Sequence, residues 1–225
     1  MIERSVIKAL RRGGLGSLVS FLSPVKVFYY FMFNLSLSVF RKLVRPNLRC
    51  ILFCSYAGAR FDDSPKAIYD FILTMYPENR FKLVWVFKKT GEYNLPKHVS
   101  QIRLNSLRFF YHSLKAGYIV SNATIHRKLN FVGRKTIYLN TWHGSALKKI
   151  GKDRKITSNN FCPTNTCIVD IMTAQSLFDI ETFSRAFNIP KERFILTGLP
   201  RNDEISKYAS VDISRIKEEL SIPND

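Results

Sequence analysis

Apolar residues along this chain fall into two textures, and the boundary lies near residue 49. Up to that point the pattern is helical. Ile2, Val6, Ile7, Ala9 and Leu10 share one face of a first helix, and Arg4, Lys8, Arg11 and Arg12 share the other. Gly13, Gly14 and Gly16 break it; no strand precedes them and no Lys-Ser/Thr follows, so they read as a hinge and not as a phosphate loop. A second, greasier helix follows. Its polar residues Lys26, Tyr30, Asn34 and Ser38, then Arg41, Lys42 and Arg45, recur every three to four positions and form a narrow stripe.

Three placements suit that helix: lying in a bilayer interface, spanning the bilayer, or packing on the protein's own core. The longest charge-free run, Val27–Phe40, has 14 residues. It reaches about 21 Å as a helix, against a hydrocarbon core of about 30 Å. Pro24 and Lys26 stand at its entrance and basic residues flank both ends. A polar stripe with basic ends favours the interface.

From residue 49 onward, short apolar runs alternate with helical patterns. Strands are predicted at 49–55, 81–87, 101–104, 117–121, 136–141, 168–173 and 194–197. Helices are predicted at about 64–76, 106–115 and 176–187, with a further one at 210–220. This alternation argues an α/β fold, a Rossmann-like parallel sheet with helices on both faces. The expected organisation is a basic amphipathic membrane-associating segment over 1–48, a Rossmann-like domain over 49–208, and the start of a connector over 209–225. Ligands of such sheets sit beyond the carboxyl ends of the strands.

Charge narrows the partners. Of 225 residues, 35 are basic and 17 acidic, a net +18. Residues 1–50 hold nine basic and one acidic residue, and residues 51–150 hold 16 and five. The last 75 residues are close to neutral. Such a field suits an anionic membrane surface, a nucleic acid or a phosphate polymer. A non-catalytic basic membrane- or nucleic-acid-binding protein is the alternative to an enzyme, but no aromatic-studded strand or recognition helix marks a nucleic-acid reader. Four cysteines without a secretory pattern exclude a disulfide scaffold. Cys50 and Cys54 share one side of the first strand, and Cys162 and Cys167 flank Pro163 without zinc-like spacing.

Three strand ends carry unusual chemistry. The first runs Tyr56-Ala57-Gly58-Ala59-Arg60-Phe61-Asp62-Asp63-Ser64-Pro65-Lys66. Asp63 or Ser64 can cap the next helix, and Arg60 and Lys66 beside its amino terminus suit an anion. The second runs Thr141-Trp142-His143-Gly144-Ser145-Ala146-Leu147-Lys148-Lys149-Ile150-Gly151. His143 directly follows an apolar strand, Gly144 permits close approach, and Ser145 can cap a short helix presenting Lys148 and Lys149. The third, Gly198-Leu199-Pro200-Arg201-Asn202-Asp203, reads alone as a turn and helix cap. The remaining histidines, His98, His112 and His126, have no acidic or cysteine partner at ligand spacing.

Taken in order, Y-x-G-x-x-F-x-D-x-P-K-A, T-W-H-G-S-x-x-K-K-I-G and G-x-P-R-N-D resemble the CDP-glycerol glycerophosphotransferase family over about residues 50–205. The chain departs from that pattern at Ser64, usually Asn, and at Ser145, usually Thr. The resemblance implies the amino-terminal half of a GT-B-like transferase of teichoic-acid or capsule-like polymer synthesis. It would work peripherally at the cytoplasmic face of the bacterial plasma membrane, without a cofactor or metal and without nucleic acid. His143 would be the general base. Arg60, Asp63, Ser64, Lys66, Trp142, Gly144, Ser145, Lys148, Lys149, Arg201 and Asp203 would hold a lipid-linked polyol phosphate acceptor. The CDP-polyol donor would be bound by a carboxyl-terminal half expected to lie beyond Asp225.

Overall fold

The computed structural model describes residues 16–125, 129–154, 169–207 and 213–223. The expectations for the first helix, the glycines at 13 and 14, His126, Cys162, Cys167 and the start of the sixth strand lie outside them. A helix, α1 (Gly16–Leu43), leads into β1 (Asn47–Cys54). Next come α2 (Asp63–Met75), β2 (Lys82–Phe87), β3 (Ser100–Arg103), α3 (Leu107–Lys115) and β4 (Ala116–Ser121). The rest comprises β5 (Ile137–Asn140), β6 (Ile171–Ala174), α4 (Leu177–Phe187), β7 (Phe194–Leu196), α5 (Asp203–Lys207) and α6 (Ile213–Glu219).

The seven strands form one parallel sheet in the order β3-β2-β1-β4-β5-β6-β7. All seven expected strands are present, each within a few residues of its expected bounds. The reason is visible on β1, which from Cys50 to Cys54 is buried on both faces and therefore reads there as an unbroken apolar run. Cys50, Leu52 and Cys54 enter the core under α1, α3 and α4, while Ile51 and Phe53 enter the one under α2. There Trp85 stacks on Phe53 at 5.3 Å, and Phe61 closes edge-on at 4.8 Å. Ser106 and Ser176 cap α3 and α4, accepting from the amides of Phe109 and Asp179. Strand order reverses between β1 and β4, the point at which sheets of this kind place a ligand crevice beyond the carboxyl ends of their strands.

Part of the polar stripe on α1 faces the domain. Asn34 Oδ1 accepts from the backbone amide of Asn130 at 2.8 Å, Phe33 packs edge-on against Phe110 at 5.1 Å, and Leu37 is buried. Tyr30, Asn34 and Arg41 therefore lie on the side that meets the domain. The opposite side exposes Phe28, Phe31, Met32, Leu35, Val39, Phe40 and Leu43. Among the described residues, no helix is long and apolar enough to cross a membrane.

Candidate functional site

The loops leaving β1, β4 and β5 meet at the reversal point. The backbone turns left-handed as soon as β1 ends, at Tyr56 (φ 45°) and Ala57 (φ 51°). The Tyr56 amide donates to Asn122 Oδ1 at 2.7 Å, which ties the loop after β1 to the loop after β4. Buried Ser55 holds the far side, its Oγ lying 2.9 Å from the Asp62 carbonyl.

Asp63 is the hub of this loop. It too is left-handed (φ 64°), and its side chain is 3% exposed. Oδ2 accepts from the Tyr56 hydroxyl at 2.5 Å and from Arg201 Nη1 at 2.7 Å, while Oδ1 accepts from the Ser64 amide at 2.6 Å. Burial pushes the carboxyl up. The hydrogen bonds from Tyr56 and Ser64 and the Arg201 charge outweigh it, so Asp63 titrates below the usual carboxylate value. Burial, then the Asp63 carboxylate, push the Tyr56 phenol up, so it remains a donor. Arg201 thus reaches the first strand end from the third. The expected capping by Asp63 or Ser64 does not occur: the N-cap position of α2 is Asp62, and it makes no side-chain cap bond. Asp63 turns instead toward Tyr56 and Arg201.

His143 follows Trp142, whose backbone is also left-handed (φ 50°) and whose amide donates to Asn140 Oδ1 at 2.8 Å. That turn carries the indole onto Phe187 and Phe183 and stacks the imidazole on it at 4.3 Å. His143 Nδ1 lies 2.7 Å from the carbonyl oxygen of Asn122. A carbonyl only accepts, so Nδ1 carries a proton, and in the neutral ring Nε2 keeps the lone pair. The Tyr56 ring lies 5.8 Å from the imidazole. Gly144 (φ 144°) has open space where a side chain would begin.

Residues 145–150 form no helix, which corrects the expected short helix capped by Ser145. The Ser145 hydroxyl donates to Asp179 Oδ2 at 3.0 Å, pinning the loop to the start of α4. Lys148 and Lys149 are exposed on the following turn. Gly151 (φ 52°) ends the motif against α4; a Cβ there would lie 2.1 Å from the Ala186 carbonyl oxygen.

The expected cations divide. Arg60 is exposed and lies over the Tyr56 ring at 5.2 Å, beside the crevice. Lys66 is bound to Asp70 at 2.5 Å on its own helix. Asp203 begins α5. Three buried polar atoms have no partner among the described residues: Ser64 Oγ at the start of α2, Asn122 Nδ2 just after β4 and Asp179 Oδ1 at the start of α4.

A family model described as CDP-glycerol:poly(glycerophosphate) glycerophosphotransferase matches residues 35–225. The chain belongs to this family. A teichoic acid glycerol-phosphate transferase of Staphylococcus aureus is 31% identical over 194 residues, covering 80% of this chain and 48% of that protein. A teichoic acid poly(glycerol phosphate) polymerase of Staphylococcus epidermidis is 30% identical over 189 residues, 79% of this chain and 26% of that protein. The solved wall teichoic acid polymerase TagF superposes with a TM-score of 0.70 at 26% identity, covering 89% of this chain and 54% of TagF. A TagF variant soaked with CDPG gives 0.70 at 25%. The chain therefore spans about half or less of these relatives, and its sheet is the Rossmann-like kind expected of a GT-B-like transferase.

Sequence reasoning missed two residues that shape these strand ends. Asn122 holds His143 through its backbone carbonyl and Tyr56 through its side chain. Asp179 is fully buried and takes both the Ser145 hydroxyl and the Gln175 amide. Asn122 carries no motif, because a backbone carbonyl belongs to every residue type. Asp179 reads as an ordinary acid in the first turn of a helix.

Proposed function

We propose that this chain is the acceptor-side part of a transferase that moves a polyol phosphate from a CDP-activated donor to a lipid-linked polyol phosphate acceptor. A terminal acceptor hydroxyl attacks the donor's phosphorus. The hydroxyl proton passes to Nε2 of His143, and CMP leaves with the electrons of the broken phosphoanhydride bond. The observation that carries this reading is the 2.7 Å bond from His143 Nδ1–H to the Asn122 carbonyl, which sets the tautomer a general base requires. The same bond supports the imidazolium that forms after proton transfer.

Arg201 keeps about a third of its side chain exposed while Asp63 holds it, so part of the guanidinium can take an acceptor phosphate. Arg60, Lys148 and Lys149 add positive charge around the crevice. The cytidine nucleotide would be held by protein outside the single sheet described here. The exposed apolar side of α1 supports peripheral attachment to an anionic membrane, with the acceptor's lipid in the same bilayer.

CMP release from CDP-glycerol onto a glycerol phosphate acceptor tests the catalytic part. In the enzyme carrying these residues, His143→Ala lowers kcat by about 10²–10⁴ while the fold is retained. Undiminished turnover would return His143 to a structural role.

A further inference from the structure

At the amino ends of the strands, away from His143, α1, the start of β1 and the end of α3 enclose an open groove of about 800 Å³. Its apolar wall is Phe40, Leu43, Val44, Leu48 and Tyr111. Arg45, Arg49 and Lys115 stand around it, no acidic residue lines it, and none of the three forms an ion pair with a described residue. Lys115 Nζ is 3.1 Å from the Tyr111 hydroxyl, so its charge sits at the rim of the apolar wall.

Two buried nitrogens lie on residues next to that wall in sequence. His112, on α3, is 7% exposed and its Nδ1 has no partner among the described residues. Burial, then the charges of Lys82, Arg108 and Lys115, hold it below the ordinary histidine value. On α1, Arg41 Nε is likewise buried without a partner one turn before Arg45. An apolar trough rimmed by unpaired cations at the end of a helix with an exposed apolar side fits a molecule carrying both a fatty chain and a phosphate. A phosphate polymer matches the cations but not the wall, and a plain hydrocarbon matches the wall but not the cations.

We propose that this groove seats one anionic phospholipid, its acyl chain along Phe40, Leu43 and Leu48 and its phosphate among Arg45, Arg49 and Lys115. The inference rests on the peripheral-membrane reading above and gives it a specific seat. This seat lies at the amino ends of the strands and His143 beyond the carboxyl ends. The eight residues of β1 alone separate the two by about 25 Å. A lipid bound here therefore anchors the enzyme without entering its catalytic crevice.

The test uses the full 225-residue chain with phosphatidylglycerol or phosphatidylcholine vesicles, and with soluble dihexanoyl phosphatidylglycerol in calorimetry. The chain binds phosphatidylglycerol vesicles, and the soluble lipid binds one to one. The triple variant Arg45→Ser, Arg49→Ser, Lys115→Ser loses about a hundredfold in both measurements. A control lacking three exposed lysines elsewhere, Lys88→Ser, Lys89→Ser, Lys97→Ser, loses less than threefold for the soluble lipid. Equal losses in the two variants would reduce the groove cations to a diffuse field and overturn the seat while leaving membrane attachment intact. Displacement of the soluble lipid by equimolar glycerol 3-phosphate or inorganic phosphate would overturn it as well, since the apolar wall would then contribute nothing. No binding of the parent chain to phosphatidylglycerol vesicles would remove the peripheral reading itself. Leu48→Glu, at a position already 58% exposed, separates loss of fold from loss of site. It leaves the melting temperature near that of the parent and abolishes one-to-one binding.

Discussion

Replacing Asp63 by Asn tests the link between the first and third strand ends with little other disturbance. The shape stays the same, and Asn tolerates a left-handed backbone as well as Asp does, so the φ of 64° adds no new strain. What changes is charge. Asp63 accepts three hydrogen bonds, including one from a cation, and only 3% of its side chain meets water. Breaking a buried pair costs about 3–5 kcal/mol, but Arg201 is 36% exposed and water recovers part of its solvation. The expected loss is about 2–3 kcal/mol. Asp63→Ala should cost a further 1–2 kcal/mol, roughly, because alanine resists that backbone. Urea unfolding of Asp63→Asn, Arg201→Gln and the double variant isolates the pair, with an expected coupling of about 1–2 kcal/mol. The pH dependence has a defined sign. The folded carboxyl titrates below its unfolded value of about 3.9, so its contribution is complete above that value and disappears as pH falls through the lower folded one. The gap between parent and Asp63→Asn should therefore close as pH falls from about 5 through the lowered folded value. A coupling below about 0.3 kcal/mol, or a gap indifferent to pH, would refute the hub.

Gly151→Ala should lower stability by more than about 2 kcal/mol, since it combines a left-handed φ with a Cβ placed against the Ala186 carbonyl; a urea midpoint equal to the parent's would show that the loop yields. Calorimetry should find weak binding of a glycerol phosphate oligomer to the 225-residue chain and none of CDP-glycerol or CMP. The crevice offers cations and Tyr56 around His143 but no second sheet among the described residues, and saturable, tight nucleotide binding would mean that this crevice is the donor side.

Element positions were legible because their causes are local. A strand buried on both faces must be apolar throughout, and Ser106 and Ser176 announce helices by the bonds they make three residues on. Contacts across the fold were not. Arg201 and Asp63 are 138 residues apart, and either one alone resembles a turn or cap residue. Ser145, placed before Ala-Leu-Lys-Lys, has the look of an N-cap until Asp179 is seen to take its hydroxyl. Periodicity placed Tyr30, Asn34 and Arg41 on one face of α1. It could not say whether that face meets water or protein, because the answer depends on Phe110 and Asn130, which reach it only in the folded chain.

Backbone strain concentrates at these strand ends. Tyr56, Ala57, Asp63 and Trp142 all adopt a left-handed backbone, at a cost of about 1–2 kcal/mol each. Strain on that scale persists only where the surroundings fix the loop more firmly than the strain loosens it. Asn122 Oδ1 fixes Tyr56, the three bonds to Asp63 fix the next turn, and Asn140 Oδ1 with the Phe183–Phe187 pocket fixes Trp142. The reversed turn at Trp142 sends the indole into the core while the next residue folds back to an Asn122 carbonyl 21 positions earlier. A right-handed turn there would separate the two rings and release Nδ1. Relaxing this backbone would thus gain stability and lose the tautomer, which is why glycine, the cheapest residue for a left-handed turn, would be a poor exchange for Trp142.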